Sequence, residues 1–140
     1  MHIARSVQLV ADALAKWIDA KGKTTIMIRN GLYSVTSKLL DGVKGGATGV
    51  SVLRDGTMLG GGPIYYHVGS YVCSGGKWKG ELTVREHTPA EITEAWFARH
   101  VVSMGFSGTY ADDGAEFDAT ALVGKRSIRF NVIFGLLAPD

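Results

Sequence analysis

Hydrophobic and polar residues alternate with a period of two along most of the chain after residue 30. Around Trp78, Leu82 and Val84 the apolar positions alternate with charged and polar ones, and the stretch around Phe130 and Val132 does the same. A period of two is typical of a strand with one buried face. The pattern predicts eight strands, near residues 31–39, 46–54, 57–61, 64–73, 76–87, 97–110, 115–122 and 126–136.

Turn residues separate these strands at hairpin spacing. Asp55-Gly56 predicts a two-residue type I′ turn, and glycine-containing stretches at 74–76, 111–114 and 123–125 separate later strands. A capping pattern over 88–91 adds a short helical turn at about 89–95. Consecutive strands with short connections favour a meander that closes and leaves no exposed edge. We therefore predict an all-β fold, an eight-stranded antiparallel up-and-down barrel.

The first thirty residues follow a helical period instead. Apolar side chains recur there at spacings of three and four, at Ile3, Val7, Val10, Leu14, Trp17 and Ile18. This spacing predicts an N-terminal amphipathic α-helix of about five turns, ending at Lys21-Gly22-Lys23. Three interpretations stay open: a helix docked on the barrel, a membrane-surface or partner-binding helix, and an upstream extension foreign to the fold. The predicted division is an arm over 1–28 and a barrel domain over 29–140.

Composition agrees with a globular barrel. The chain has 140 residues, 46% of them hydrophobic, with 19 glycines but only 3 prolines, which excludes collagen-like and low-complexity chains. Gly22 is the only glycine in the first thirty residues. Several of the others fall inside predicted strands, where glycine permits the bends that closure requires.

Charge and cysteine content restrict the partners and the cellular compartment that we expect. The formal net charge is only +2, and the barrel portion is close to charge balance, so we expect no direct nucleic-acid binding. The chain has no apolar run long enough to span a bilayer and no signal-peptide pattern, so we expect a cytoplasmic protein. Cys73 is the single cysteine, which excludes an intramolecular disulfide and fits a reducing compartment.

Candidate catalytic chemistry is sparse. The histidines at positions 2, 67, 87 and 100 lack the local spacing of metal ligands. His67, Glu86, His87 and Glu116 could form an acid/base group at a barrel mouth, although their spacing does not require it. A nucleophile elbow is missing, and Cys73 lies in an apolar strand where an inert thiol is the default. We predict no enzyme activity, no cofactor and no metal site.

Several motifs resemble one bacterial family. They are Asn30-Gly31-Leu32-Tyr33-Ser34-Val35, Gly49-Val50-Ser51-Val52-Leu53-Arg54-Asp55-Gly56, Gly60-Gly61-Gly62, Tyr65-Tyr66, Gly69-Ser70-Tyr71 and Arg85-Glu86-His87. Together they resemble the type III secretion negative regulators over about residues 29–136. The resemblance implies a lipocalin-like (calycin-like) barrel that dimerises and regulates secretion genes by binding a transcriptional activator protein. The family's acidic contact motif corresponds to Ser74-Gly75-Gly76-Lys77, which contains no carboxylate, so no partner-contact residue carries over.

Protein binding is therefore the leading hypothesis. It describes a non-enzymatic regulatory or adaptor protein that forms a homodimer and binds a protein partner. Tyr65, Tyr66 and Tyr71 occupy both faces of one predicted strand, so at least one points outward and is a candidate interface residue. The alternative for these tyrosines is a place in the barrel core with hydroxyls at its rim.

A second hypothesis is a binder or carrier of a small apolar or lipid-like ligand inside the barrel. Large candidate interior side chains favour a filled core, whereas Gly80, Ala115, Ala119 and Ala121 would leave room. Both possibilities stay open at the sequence level. The candidate ligand-binding residues are Val50, Val52, Val68, Trp78, Leu82, Val84, Phe117, Phe130 and Val132.

Overall fold

The computed structural model describes residues 27–40, 46–89 and 101–140, and these form one closed β-barrel. The described strands are β1 (Gly31–Leu39), β2 (Gly46–Arg54), β3 (Thr57–Gly61), β4 (Tyr65–Ser74), β5 (Lys77–Glu86), β6 (Val102–Ala111), β7 (Gly114–Val123) and β8 (Arg126–Pro139). Each pairs antiparallel with the next, and β8 pairs with β1. The predicted all-β, eight-stranded antiparallel barrel is confirmed.

The predicted strand bounds need small corrections. β8 continues to Pro139 because its last residues pair with the start of β1, past a register shift at Leu32/Tyr33. The helix predicted in the N-terminal arm, the helical turn predicted after residue 89 and the predicted start of β6 near 97 lie outside the described residues. Of the arm, the structure describes Met27 and Ile28, and Ile28 is buried in the barrel core.

The β2–β3 turn has the geometry that its sequence predicts. Asp55 and Gly56 have φ angles of 50° and 86°, the left-handed region that a type I′ turn requires at both central positions. Asn30 bonds this turn twice: its Nδ2 donates to Oδ1 of Asp55 at 3.0 Å, and its Oδ1 accepts from the Asp55 backbone N–H at 2.9 Å. The residue before β1 thereby joins the entry of the chain to the turn between β2 and β3.

The start of β1 and the turns at 55–56, 75–76 and 112–113 lie at the same end of the barrel, which we call the entry end. Aromatic rings fill the interior near this end around Trp78. Its ring centroid lies 5.0 Å from that of Phe106, 5.3 Å from Phe134 and 5.5 Å from Tyr71. Such edge-to-face packing of large rings is favourable beyond its buried area. This half of the barrel is a packed core.

The indole of Trp78 crosses β6 at Gly108 and donates a hydrogen bond to the next strand. Gly108 on β6 pairs with Trp78 on one side and with Phe117 on the other. The indole Nε1 donates to the backbone oxygen of Glu116 on β7 at 2.9 Å, and a Cβ atom at Gly108 would overlap that same oxygen. The missing side chain at Gly108 therefore lets the indole pass over β6.

Candidate functional site

Six of the nine predicted interior residues are buried in the barrel core, as their inward positions require. They are Trp78, Leu82, Val84, Phe117, Phe130 and Val132. Their contribution to ligand binding stays a prediction.

The other three predicted interior residues, Val50, Val52 and Val68, lie on the outer surface and are 43–46% exposed. Their assignment to the interior was wrong because Ser51 and His67 occupy the inward positions between them, and Ser51 is fully buried. Alternation shows that one face of a strand is apolar and the other polar. It does not show which of the two faces points into the barrel.

The outward side chains of four neighbouring strands form a continuous apolar surface. Leu32, Val52, Leu59 and Val68 stand opposite one another across β1, β2, β3 and β4. In the adjacent row, Val50 and Tyr66 both pair with Gly61. Adjacent strands are about 4.8 Å apart, so these side chains are within reach of one another. We call this set the outer apolar surface: Leu32, Val50, Val52, Leu59, Tyr66 and Val68.

The three tyrosines of β4 divide between the two faces of the strand. Tyr66 is 39% exposed on the outer apolar surface, where the interface hypothesis requires it. Tyr71 is buried against Trp78, so its predicted place at an interface was wrong. Tyr65 lies on the inward face and packs partly buried against the core, as the alternative interpretation proposed.

The outer apolar surface has an uncharged centre and a charged border along β5. All six members are uncharged, whereas Arg85 and Glu81 point outward from the next strand, β5. On the other side, Leu32 pairs with Ala138 of β8, and Leu137 of the same strand is 57% exposed. An apolar centre with a polar rim is the usual anatomy of a protein–protein interface.

A polar pair interrupts the inner wall of the barrel. Ser51 Oγ on β2 lies 2.9 Å from Nε2 of His67 on β4, and Gly60 on β3 separates the two residues. A Cβ atom at Gly60 would come within 2.9 Å of Cε1 of His67, so the imidazole crosses β3 where β3 has no side chain. Burial lowers the pKa of His67 to about 4, and the ring is therefore neutral at pH 7.

The residues of the predicted acid/base group do not converge. His87 is exposed and its Nε2 and Nδ1 lie 2.7 Å from the Gly62 carbonyl oxygen and the Thr88 hydroxyl. Glu116 is exposed on the outward face of β7. Glu86 alone shares the inward face with His67. Within the described ranges, no cluster of three or more His, Cys, Asp or Glu residues could hold a metal ion.

A depression of about 790 Å³, lined by both apolar and polar side chains, lies on the outer wall along β4 to β8. Both signs of charge line it: Lys79 and Arg129 together with Glu81 and Asp118. Nδ2 of Asn131 donates to Oδ1 of Asp118 at 2.9 Å. This wall differs from the outer apolar surface because it carries charged side chains beside apolar ones such as Val72.

Sequence reasoning missed the Ser51–His67 pair and the outward position of Leu59. The available signal was the flanking pattern: Ser51 and Leu53 share one face of β2, and that face is continuous with Met58 on β3. Pairing β2 with β3 through the Asp55-Gly56 turn would have placed Ser51 inside.

Comparison with known proteins adds no relative: no protein family model matches the chain, and no curated protein matches it significantly. Among the residues that the structure describes, no helix has the length and apolar character needed to cross a membrane.

Proposed function

We propose that the protein is a non-enzymatic regulatory or adaptor protein that acts by binding protein chains through its outer apolar surface. The observation that carries this proposal is the continuous row of Leu32, Val52, Leu59 and Val68 on the outside of the barrel. Scattered surface leucines and valines are normal, but contiguous apolar patches mark interaction sites. The resemblance to the type III secretion negative regulators implies the same class of function.

A second copy of the chain is the occupant that the charges favour. In a two-fold dimer the same surface meets itself, so any charge at its centre would face a like charge. The outer apolar surface has none, whereas its β5 border offers Arg85 and Glu81, which have opposite signs and can pair across the two-fold axis. The protein therefore acts as a homodimer assembled through β1–β4.

Sedimentation equilibrium of three proteins tests the proposal. The wild-type chain should be a dimer, and Leu59→Glu should weaken dimerisation at least about tenfold, since it buries an unpaired carboxylate at the centre of the interface. Leu122→Glu is the matched control, because Leu122 is 70% exposed on β7, away from this surface. It should remain a dimer.

Two results would contradict the proposal. A wild-type chain that stays monomeric would exclude the second copy and leave the surface for a different protein. Equal weakening by both glutamate variants would show that the dimer does not use this surface. Near-ultraviolet circular dichroism verifies that each variant keeps its aromatic core.

A further inference from the structure

The four residues before β1, Met27–Asn30, belong to no strand and cross the entry end of the barrel. On one side, burial raises the pKa of the Cys73 thiol on β4, and the backbone of Ile28 lies close enough to oppose part of that rise. On the other side, the carbonyl oxygen of Asn30 accepts a hydrogen bond of 2.9 Å from the backbone N–H of Asp140, which follows β8. Because β4 and β8 lie on opposite sides of the closed barrel, the segment spans this end. We call Met27–Asn30 the entry strap.

Individual contacts, rather than a strand ladder, hold the entry strap. Ile28 is 3% exposed and packs in the barrel core. The carbonyl oxygen of Arg29 accepts a hydrogen bond of 2.7 Å from the hydroxyl of Tyr33, and the side chain of Asn30 bonds to Asp55 in the β2–β3 turn. Among the described residues, one backbone–backbone hydrogen bond joins the strap to the barrel. Segments with few backbone hydrogen bonds open at a lower free energy than core strands do.

Two buried phenols share this end of the core with Ile28. Tyr71 and Tyr110 are 5% and 8% exposed, and neither hydroxyl forms a hydrogen bond in the described part of the barrel. Burial raises the pKa of both phenols, that of Tyr71 to about 12, and Cys73 beside the strap lies close enough to add to each rise. A buried hydroxyl without a partner costs free energy that contact with water recovers. The closed strap therefore carries a cost that its opening relieves.

We propose that the entry strap opens as one unit while the eight strands stay paired, and that its opening gives water and small solutes access to Cys73, Tyr71 and Tyr110. Ile28 holds the strap closed, because withdrawing its side chain from the core exposes apolar surface to water. The open state hydrates the two phenols. A segment outside the sheet thereby controls chemical access to this end of the core, independently of the outer apolar surface.

Amide hydrogen exchange of the full chain tests whether the strap opens as one unit. The backbone N–H groups of Asp55 and Asp140 both donate to Asn30 from different elements, so both report strap opening. We expect their opening constants to agree within about threefold, to be independent of low urea concentrations, and to exceed that of the Tyr110 amide at least about tenfold. Opening constants of Asp55 and Asp140 that disagree, or that rise with urea as the Tyr110 amide does, would overturn the proposal.

Matched alanine variants separate strap opening from unfolding of the barrel. Ile28→Ala shortens the side chain that closes the strap. Ile128→Ala makes the same change at a core residue that is 7% exposed and lies near the end of β8 away from the entry end. Ile28→Ala should raise the opening constants of the Asp55 and Asp140 amides at least about tenfold, and Ile128→Ala should leave them unchanged. Equal effects of the two variants, or no effect of Ile28→Ala, would overturn the role of Ile28.

Alkylation by iodoacetamide measures access to the interior, because Cys73 is the single cysteine of the chain. Ile28→Ala should be alkylated at least about tenfold faster than the wild type, and Ile128→Ala at the wild-type rate. Equal rates in all three proteins, or equal acceleration of both variants, would overturn control of access by the strap. If Ile28→Ala does not fold, Ile28→Val and Ile128→Val repeat both measurements, and Ile28→Val alone should raise the opening constants and the alkylation rate about threefold.

Discussion

At the residue scale, two rings reach their hydrogen-bond partners by crossing a strand at a glycine. Trp78 crosses β6 at Gly108, and His67 crosses β3 at Gly60. We predicted from the sequence that glycines inside strands allow the sheet to bend, but not that they let a ring cross a strand. The hydrogen-bond partner of each ring lies two strands away. Which atoms meet there depends on strand register and barrel closure, so composition could not identify this role of glycine.

The glycine at the Trp78 crossing should resist substitution. In Gly108→Ala the new methyl group would overlap the Glu116 carbonyl oxygen, so the strand or the indole must shift, and we expect a loss of about 2–3 kcal/mol in unfolding free energy. Gly105→Ala on the same strand is the control, because the nearest atom to its Cβ is 3.8 Å away. Urea unfolding of both variants measures the difference, and similar losses would contradict the crossing explanation.

Buried His67 should make the protein sensitive to acid. Burial lowers its pKa to about 4 in the folded chain, against 6.5 for an ordinary histidine. The unfolded state therefore takes up a proton first as the pH falls, and this contribution to stability is complete above pH 6.5 and is lost between 6.5 and about 4. The expected loss is about 3 kcal/mol.

Urea unfolding over this pH range compares the wild type with His67→Phe. The difference in stability between the two should change in favour of the variant as the pH falls, because phenylalanine cannot take up a proton. Parallel curves for the two proteins would show that another group causes the acid sensitivity.

At the element scale, the alternating pattern predicted the strands well because each strand separates two unlike environments. The bounds of β1, β2 and β3 coincide with the prediction. The inward face of β2 and β4 could not be predicted in the same way. Their valines are outside, and the inner positions belong to Ser51 and His67, whose Oγ and Nε2 atoms lie 2.9 Å apart across β3.

Asn30 should stabilise the turn between β2 and β3 from outside that hairpin. Asn30→Ala removes two hydrogen bonds to Asp55 of 2.9 and 3.0 Å, and we expect a cost of about 1–2 kcal/mol in unfolding free energy. Ser37→Ala, which removes a longer 3.4 Å hydrogen bond on β1, should cost less. Faster amide exchange at Asp55 in Asn30→Ala would localise the effect, and unchanged exchange would contradict the anchoring role.

At the scale of the whole molecule, barrel closure could be predicted from the number of strands and their short connections. Closure also separates the inner wall of the barrel from its outer wall. The inside near the entry end is filled by the rings around Trp78, while the outside of β1–β4 carries the outer apolar surface. The candidate surface could not be predicted beyond Tyr66, because its valines were expected inside.

The most direct test of the account is an intermolecular contact at the outer apolar surface. In a dimer mixed from a ¹³C-methyl-labelled and an unlabelled protein, isotope-filtered nuclear magnetic resonance detects only contacts between the two chains. The account predicts intermolecular signals from the methyl groups of Val52, Leu59 and Val68 and none from Leu122. Signals from Leu122 in place of those three residues, or no intermolecular signal from a dimer at all, would contradict it.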